Sequence, residues 1–296
     1  MDRGAIERAL RIAGRAGDQG CGVRNGLPLE PNRSAPDPGG LVARALALLR
    51  ESNAGGNDLR LPDLPLQRRV LSDGTECALP IRYFDVQCLV ATFLADPAPA
   101  AELLKGTGLQ AVAQEAGKAV VLLYCIEYRV TDIGPYNEVG LTVLARAAGD
   151  PAPAIYVANL PVTTAVANRA GREIWGYNKF LAAIQVRRDG NNFSTVLRDT
   201  DGAAICTFEG GFGALVQAPP TDIVTFTQLD GKLLKTLIQV LTPARVGGGE
   251  GFMLRVGSSK HPMAKNLRTL GLEGARPVGV SYSDPFQALL FPGRAL

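Results

Sequence analysis

From residue 61 onward the sequence is a succession of short apolar segments, rich in Val, Ile, Leu and Tyr, with turn residues between them. Residues 83–94, 119–130 and 138–145 are the strongest of these segments, and apolar runs bounded by Gly, Pro, Asn and Asp are typical of β-strands. The Gly134-Pro135 turn predicts that the last two segments form a hairpin. Because strand candidates are many and free sheet edges are unfavourable, we predict an α+β fold that is mainly β, with a closed antiparallel sheet and short peripheral helices.

The remaining pattern is consistent with that fold class. The turn at residues 189–192 predicts a second hairpin. Short helices are predicted at residues 96–104 and 161–172, the second with Thr163 or Thr164 near its start. The further strand candidates are residues 154–159, 181–186, 193–198, 206–212, 226–228, 233–241, 251–256 and 281–290.

The first 60 residues have a different texture and are predicted to be an N-terminal extension of the β domain at residues 61–296. Residues 2–16 and 41–50 have helical periodicity, and residues 17–40 are rich in Gly, Pro, Asn and Asp. Two short helices carry too little apolar surface to fold alone. We therefore expect this extension to pack on the β domain or on a neighbouring subunit.

Composition excludes several classes of function. No apolar run approaches the roughly 20 residues of a membrane span, and the N-terminus lacks the apolar core of a secretion signal, so we expect a cytoplasmic protein with no membrane contact. A net charge of +3 with scattered arginines disfavours nucleic-acid binding. Five cysteines without a C-x-x-C spacing indicate a reducing compartment, and the single histidine, His261, cannot build a multi-histidine metal site.

Lys179 is the first candidate for chemistry because it lies among Trp175, Tyr177, Phe180 and Leu181. An ammonium buried among apolar groups gives up its proton more readily, and a free amine attacks a ketone to form a Schiff base. The alternative is a lysine at a strand edge that extends its amine into water.

Glu138 is the second candidate, at the start of an apolar strand after the Gly134-Pro135 turn. A carboxylate beside an imine-forming lysine can move protons between the carbinolamine, the imine and the enamine. The alternative is a solvated glutamate at the end of a strand. Glu127 is a third candidate carboxylate, although strand alternation can equally turn it outward.

Two motifs resemble those of the acetoacetate decarboxylase family. Residues 171–179, Gly-Arg-Glu-Ile-Trp-Gly-Tyr-Asn-Lys, resemble the family's Gly-Arg-Glu-…-Tyr/Phe-Pro-Lys-Lys motif, and residues 135–138, Pro-Tyr-Asn-Glu, resemble its Tyr-x-Glu segment. A weaker similarity covers the C-terminal third, so that the resemblance spans roughly residues 80–296.

The resemblance implies a cone-like or barrel-like fold with an apolar pocket, in a homo-oligomer that needs no metal or organic cofactor. Lys179 takes the place of the Schiff-base lysine and Glu138 that of the neighbouring pocket glutamate. The resemblance further implies a set of substrate contacts: Tyr136, Trp175, Tyr177, Phe180, Leu123, Glu127 and Arg82.

Four positions depart from the family pattern. Phe180 stands where the decarboxylases have a second lysine, and Asn178 stands where they have a proline. The second pocket glutamate falls on Leu123 without a gap and on Glu127 with one. The N-terminal arginine that handles the substrate carboxylate falls on Val86, with Arg82 nearby but out of register.

Three functions remain open from the sequence. The first is a Schiff-base lyase that decarboxylates a β-keto acid larger or more apolar than acetoacetate. The second is an aldolase, dehydratase or cyclase that uses the same lysine on a pyruvate-like 2-oxo acid. The third is a non-catalytic protein that binds a small apolar carbonyl compound.

Overall fold

The computed structural model describes residues 66–113, 117–150 and 152–296. The helices predicted at residues 2–16 and 41–50, and the domain boundary predicted near residue 60, lie outside the described residues. In the part of the chain that the structure describes, no helix combines the length and the apolar character that a membrane span requires.

Within those residues the chain forms 18 strands and three helices. The first half contains β1 (Gln67–Val70), β2 (Glu76–Leu79), β3 (Ile81–Ala95), α1 (Pro97–Leu103), β4 (Leu109–Ala111), β5 (Ala119–Thr131), β6 (Tyr136–Ala147), β7 (Ala154–Asn159) and α2 (Ala165–Trp175). The second half contains β8 (Ala183–Asp189), β9 (Asn192–Arg198), β10 (Ala204–Gly211), β11 (Leu215–Ala218), β12 (Ile223–Leu229), β13 (Lys232–Val240), β14 (Ala244–Gly247), β15 (Phe252–Val256), α3 (Pro262–Thr269), β16 (Gly279–Ser283), β17 (Ala288–Leu290) and β18 (Arg294–Ala295).

Seven strands close into a barrel in the order β3-β17-β13-β12-β7-β6-β5, and β5 pairs with β3 to complete the ring. The predicted closed, mainly β fold is therefore confirmed. All pairs in the ring are antiparallel except β12 with β7, which is parallel. Because the ring is closed, each of its seven strands pairs with a neighbour on both sides. Closure also gives the sheet an inner face, and the site described below lies on that face.

A second sheet covers one outer face of the barrel. It has four strands in the order β15-β10-β9-β8. The largest apolar cluster lies between the two sheets and includes Leu89 and Phe93 of β3, Leu123 of β5 and Phe208 of β10. Because side chains alternate along a strand, the residues between these positions face the barrel interior.

Several element boundaries differ from the sequence prediction. The segment predicted as one strand at 281–290 is two strands, β16 and β17, interrupted at residues 284–287. The helix α3 was not predicted, and it begins directly after His261, whose Nδ1 accepts the backbone N–H of Met263. The strand predicted at 154–159 is confirmed with those bounds.

Candidate active site

The end of helix α2 sets the position of Lys179. Thr164 caps the start of the helix by accepting the N–H of Ala167, and Gly176 ends it in the left-handed conformation with φ of 67°. A side chain at Gly176 would overlap the backbone carbonyl of Gln228, so glycine is required there for two reasons. The chain then turns at Asn178, where the N–H of Lys179 donates to the carbonyl of Tyr177 at 2.7 Å, and carries Lys179 back toward the barrel.

The segment that carries Lys179 is held by main-chain hydrogen bonds to the segment after β7. The carbonyls of Asn178 and Phe180 accept the N–H groups of Leu160 and Val162 at 3.0 and 2.9 Å. The side-chain amide of Asn178 also donates to the carbonyl of Ala158 at 2.7 Å. This bond holds the backbone at the position where the resembling motif has a proline.

Lys179 lies against Glu138 inside the barrel. Its Nζ is 2.6 Å from Oε2 of Glu138, and both side chains are only 7% exposed. The hydrogen bond joins the loop after α2 to strand β6, 41 residues apart in sequence. The solvent-exposed alternatives for both residues therefore do not describe this structure: neither side chain extends into water.

A tyrosine holds the other oxygen of Glu138. The hydroxyl of Tyr128 donates to Oε1 at 3.0 Å, and its ring stacks on Tyr136 with centroids 4.1 Å apart. Burial, followed by the charge of Glu138, holds the pKa of Tyr128 well above its usual range. Tyr128 is therefore a neutral donor at physiological pH, and it fixes the carboxylate so that Oε2 points at the amine.

The cavity around this pair, called the lysine cavity below, has a volume of about 80 Å³. All seven strands of the barrel line it, and most of the lining is apolar. The lining residues from the strands are Tyr83, Cys88, Tyr124, Ile126, Tyr128, Glu138, Thr142, Ile155, Val157, Ile223, Thr225, Ile238 and Leu290.

This arrangement meets the geometric needs of imine chemistry. The nucleophile and a proton-transfer group lie within hydrogen-bonding distance, and the orienting hydroxyl lies on the far side of the carboxylate. Apolar walls exclude water from the reacting amine and strengthen the electrostatic interactions inside. A small carbonyl group fits the volume.

The comparisons with known proteins give a family match. Residues 69–239, more than half of the chain, match the family model described as acetoacetate decarboxylase. The chain belongs to the acetoacetate decarboxylase family. No curated protein sequence gives a significant match to it. Membership supports a lysine-dependent enzyme.

Solved structures share the fold of this family member at low sequence identity. An acetoacetate decarboxylase from Legionella pneumophila is 17% identical, with a TM-score of 0.57 over 79% of this chain and 91% of that one. The enduracididine biosynthesis enzyme MppR, complexed with pyruvate, is 14% identical, with a TM-score of 0.56 over 74% and 91%. An acetoacetate decarboxylase-like enzyme from Sphingomonas wittichii is 14% identical, with a TM-score of 0.53 over 72% and 91%.

Two residues of the acetoacetate decarboxylase motif beside Lys179 are placed in the core around the cavity. Trp175 is buried and donates its indole N–H to the carbonyl of Phe291 at 2.8 Å, so it packs behind the cavity and does not line it. Phe180 stacks on the ring of His261, with centroids 4.0 Å apart. Phe180 is not among the residues that line the lysine cavity.

Two other predicted contacts remain at the pair. Tyr177 lines the lysine cavity, and its hydroxyl is 2.9 Å from that of Thr225. The centroid of the Tyr136 ring is 5.5 Å from Nζ of Lys179, which is within cation–π range.

Three more predicted substrate contacts do not reach the lysine cavity. Leu123 and Glu127 lie on the odd-numbered face of β5, which turns away from the barrel interior, so neither the ungapped nor the gapped alignment places a second glutamate beside Glu138. Leu123 is in the core between the sheets, and Glu127 is half-buried beside Arg129. The guanidinium of Arg82 donates hydrogen bonds to the carboxylate of Asp132 on the outer face of β3, whereas the neighbouring Tyr83 faces inward.

Tyr128, the hydrogen-bond partner of Glu138, was not predicted from the sequence. Tyr128 and Ile126 share the inward face of β5, and the register of the hairpin sets Ile126 opposite Glu138. The alternation of side chains along β5, combined with the predicted turn, could have identified Tyr128. A hairpin with that register places the even-numbered residues of β5 beside Glu138.

Gly171 of α2 has a specific place in this site because the stem of Lys179 crosses it. A methyl group at Gly171 would overlap Cδ and Cε of Lys179. Since the far end of a lysine can move, we expect Gly171→Ala to fold normally and to displace the amine. A misplacement of about 1 Å lowers the rate of catalysis about 10²-fold.

The measurement is the rate of imine trapping and of turnover, alongside a thermal melt. Gly213→Ala is the matched control because a methyl group there meets no neighbouring atom. Unchanged rates in Gly171→Ala would show that the position of the Lys179 amine does not depend on the missing side chain at Gly171.

Proposed function

We propose that the protein is a Schiff-base-forming carbon–carbon lyase that decarboxylates a β-keto acid more apolar than acetoacetate. The single observation that supports this proposal is the contact of 2.6 Å between the amine of Lys179 and the carboxylate of Glu138, both buried in a largely apolar cavity.

The first step is formation of the imine. Lys179 first passes a proton to Glu138, and its amine then attacks the ketone carbon. The proton lost by the nitrogen goes to the carbonyl oxygen, which becomes the hydroxyl of a carbinolamine. Glu138 gives back the proton it received, so that the hydroxyl departs as water and a protonated imine remains on Lys179. The hydroxyl of Tyr128 holds Glu138 in place throughout because it binds the oxygen that does not face the amine.

The second step is loss of carbon dioxide. The bond between the carboxylate and the α-carbon breaks, and its electron pair forms the carbon–carbon double bond of an enamine while the iminium nitrogen becomes neutral. A proton then adds to the α-carbon, and water hydrolyses the imine to release the ketone and the free lysine. The net reaction consumes one proton and needs no external electron acceptor.

The apolar walls favour this direction of reaction. A carboxylate is poorly solvated in such a cavity, whereas carbon dioxide and the enamine are neutral, so the loss of charge is favoured by the surroundings. Among the described residues that line the lysine cavity, Lys179 is the sole cationic side chain. The positive charge that stabilises the departing carboxylate is therefore that of the iminium itself.

The second candidate function is aldol or dehydration chemistry on a pyruvate-like acid. The shared fold with MppR complexed with pyruvate favours it. A 2-oxo acid keeps its carboxylate through such a reaction and needs a lasting cationic partner. Because the described lining offers no arginine and no second lysine, we place this candidate after decarboxylation.

The experiment compares carbon dioxide release from β-keto acids with imine trapping by borohydride, read by intact mass. The proposal predicts trapped adducts and release of carbon dioxide above the spontaneous rate. Adducts with pyruvate but no carbon dioxide from any β-keto acid would favour the second candidate. Absence of any adduct would leave the protein a non-catalytic binder of small apolar molecules.

A further inference from the structure

A second and larger space continues the lysine cavity along the inner face of the sheet. This outer chamber has a volume of about 400 Å³ and is walled by residues of β3, β5, β6, β7, β11, β12, β13, β14 and β16 together with the loop before β12. Cavities of a few hundred cubic ångströms are typical of small-molecule sites. The mechanism proposed above uses only the lysine cavity.

The outer chamber and the lysine cavity are adjacent and share part of their walls. Cys88, Tyr124, Ile155, Ile223 and Phe286 line both of them. The inward row of β5 runs from Ile126, which lies opposite Glu138, through Tyr124 and Leu122 to Val120 at the far end of the outer chamber. The seven residues from 120 to 126 are separated by six steps of about 3.3 Å and therefore span about 20 Å.

The walls of the outer chamber select against charge. Among its described lining residues, Asp222 is the sole ionisable acid and none is a lysine or an arginine. Oδ1 of Asp222 accepts the N–H of Val240 at 3.0 Å, and burial raises the pKa of this carboxyl group. An anionic group in the outer chamber would meet a carboxyl and no cation, whereas valine, leucine and isoleucine are the commonest side chains of its wall and offer apolar contact, with threonine and serine hydroxyls between them.

We propose that the outer chamber binds an extended, uncharged hydrocarbon chain on the substrate whose carbonyl condenses with Lys179. The substrate class is therefore a medium- or long-chain β-keto acid, with its carbonyl at Lys179 and its chain along the inward rows of β3 and β5. This inference rests on the proposed function. The lysine cavity alone, at about 80 Å³, suffices for a short substrate, and the outer chamber is the part that a short substrate leaves empty.

The test uses the full chain and a series of unbranched methyl ketones from acetone upward, trapped by borohydride at increasing concentration. Each added methylene that enters the outer chamber is expected to lower the half-saturating concentration about three- to fourfold. Thr92 on β3 is the cross-strand neighbour of Leu122 on β5, partway along the outer chamber. Thr92→Trp is expected to end the gain at a shorter chain and to leave trapping of acetone unchanged.

Val216→Trp is the matched control, because Val216 is exposed on β11 and does not line the outer chamber. Equal half-saturation for short and long ketones, or an unchanged chain-length limit in Thr92→Trp, overturns the inference while the imine proposal stands. If no ketone is trapped at all, the proposed function fails. Calorimetric binding of the same ketones then tests separately whether the outer chamber binds a hydrocarbon chain. An affinity that rises with chain length supports this inference, and absence of binding overturns it.

Discussion

Lys179→Met is expected to abolish the borohydride-stable adduct with every ketone and to reduce carbon dioxide release to the spontaneous rate. Methionine keeps the length and apolar character of the lysine stem that crosses Gly171, but it has no amine to form the imine. Intact mass after borohydride treatment measures the adduct directly. The result is independent of which β-keto acid is the natural substrate.

The matched control is Lys235→Met. Lys235 is also partly buried and also pairs with a carboxylate, Asp150 at 2.6 Å, but it lies away from the lysine cavity. An adduct that persists in Lys179→Met and disappears in Lys235→Met would contradict the assignment of the nucleophile.

Stability measurements separate loss of chemistry from loss of folding. Removing one partner of a buried ion pair costs about 3–5 kcal/mol, so Lys179→Met alone is expected to melt earlier. The double variant Lys179→Met with Glu138→Gln removes both charges, and such exchanges are often neutral or stabilising by about 1–4 kcal/mol. If the double variant is stable and still forms no adduct, the loss of the adduct is due to the missing amine and not to unfolding.

Glu138→Gln is expected to lower turnover by about 10²–10⁴-fold, the usual contribution of a positioned proton-transfer group. Glutamine keeps the shape and can still accept the hydroxyl of Tyr128, but it cannot move a proton between the carbinolamine and the imine. Single-turnover trapping is expected to show the same adduct formed more slowly, because Lys179 is still present. The comparison of adduct yield with adduct rate therefore measures the proton-transfer role itself.

Glu127→Gln is the control for this change, since Glu127 lies on β5 beside the site and faces the other way. Its turnover is expected to equal that of the unaltered protein. Full activity in Glu138→Gln would remove Glu138 from the mechanism and assign proton transfer to solvent or to a tyrosine.

The sequence predicted those parts of the fold that alternate or turn clearly. Apolar runs and the Gly134-Pro135 turn located β5, β6 and their hairpin, and the lysine motif located the loop after α2. Closure of the barrel could be expected in general terms, but the parallel pairing of β12 with β7 is a long-range contact with no local signal. Helix α3 was not predicted because its N-cap is His261, and histidine is not among the residues that usually cap the start of a helix.

The two residues predicted to be central, Lys179 and Glu138, lie in segments with recognisable motifs, and the structure brings them into contact. Their catalytic roles stay a prediction. Leu123 and Glu127 were misplaced because alignment to a motif fixes distance along the chain, whereas the face of β5 is fixed by its register with β6. Trp175 is beside Lys179 in sequence, but the intervening helix end turns its ring toward Phe291.

The loop that carries Lys179 and the strands that form the walls of the outer chamber can change independently in evolution. The nucleophile is fixed by hydrogen bonds to residues 160–162, whereas the walls that meet a ligand chain belong to strands β3 and β5. Inward substitutions far along these strands, such as at Leu122, can lengthen, shorten or reshape the space for a ligand without moving the amine or Glu138. A lineage with this architecture can therefore change its preferred substrate in single steps while its bond-breaking chemistry is inherited intact.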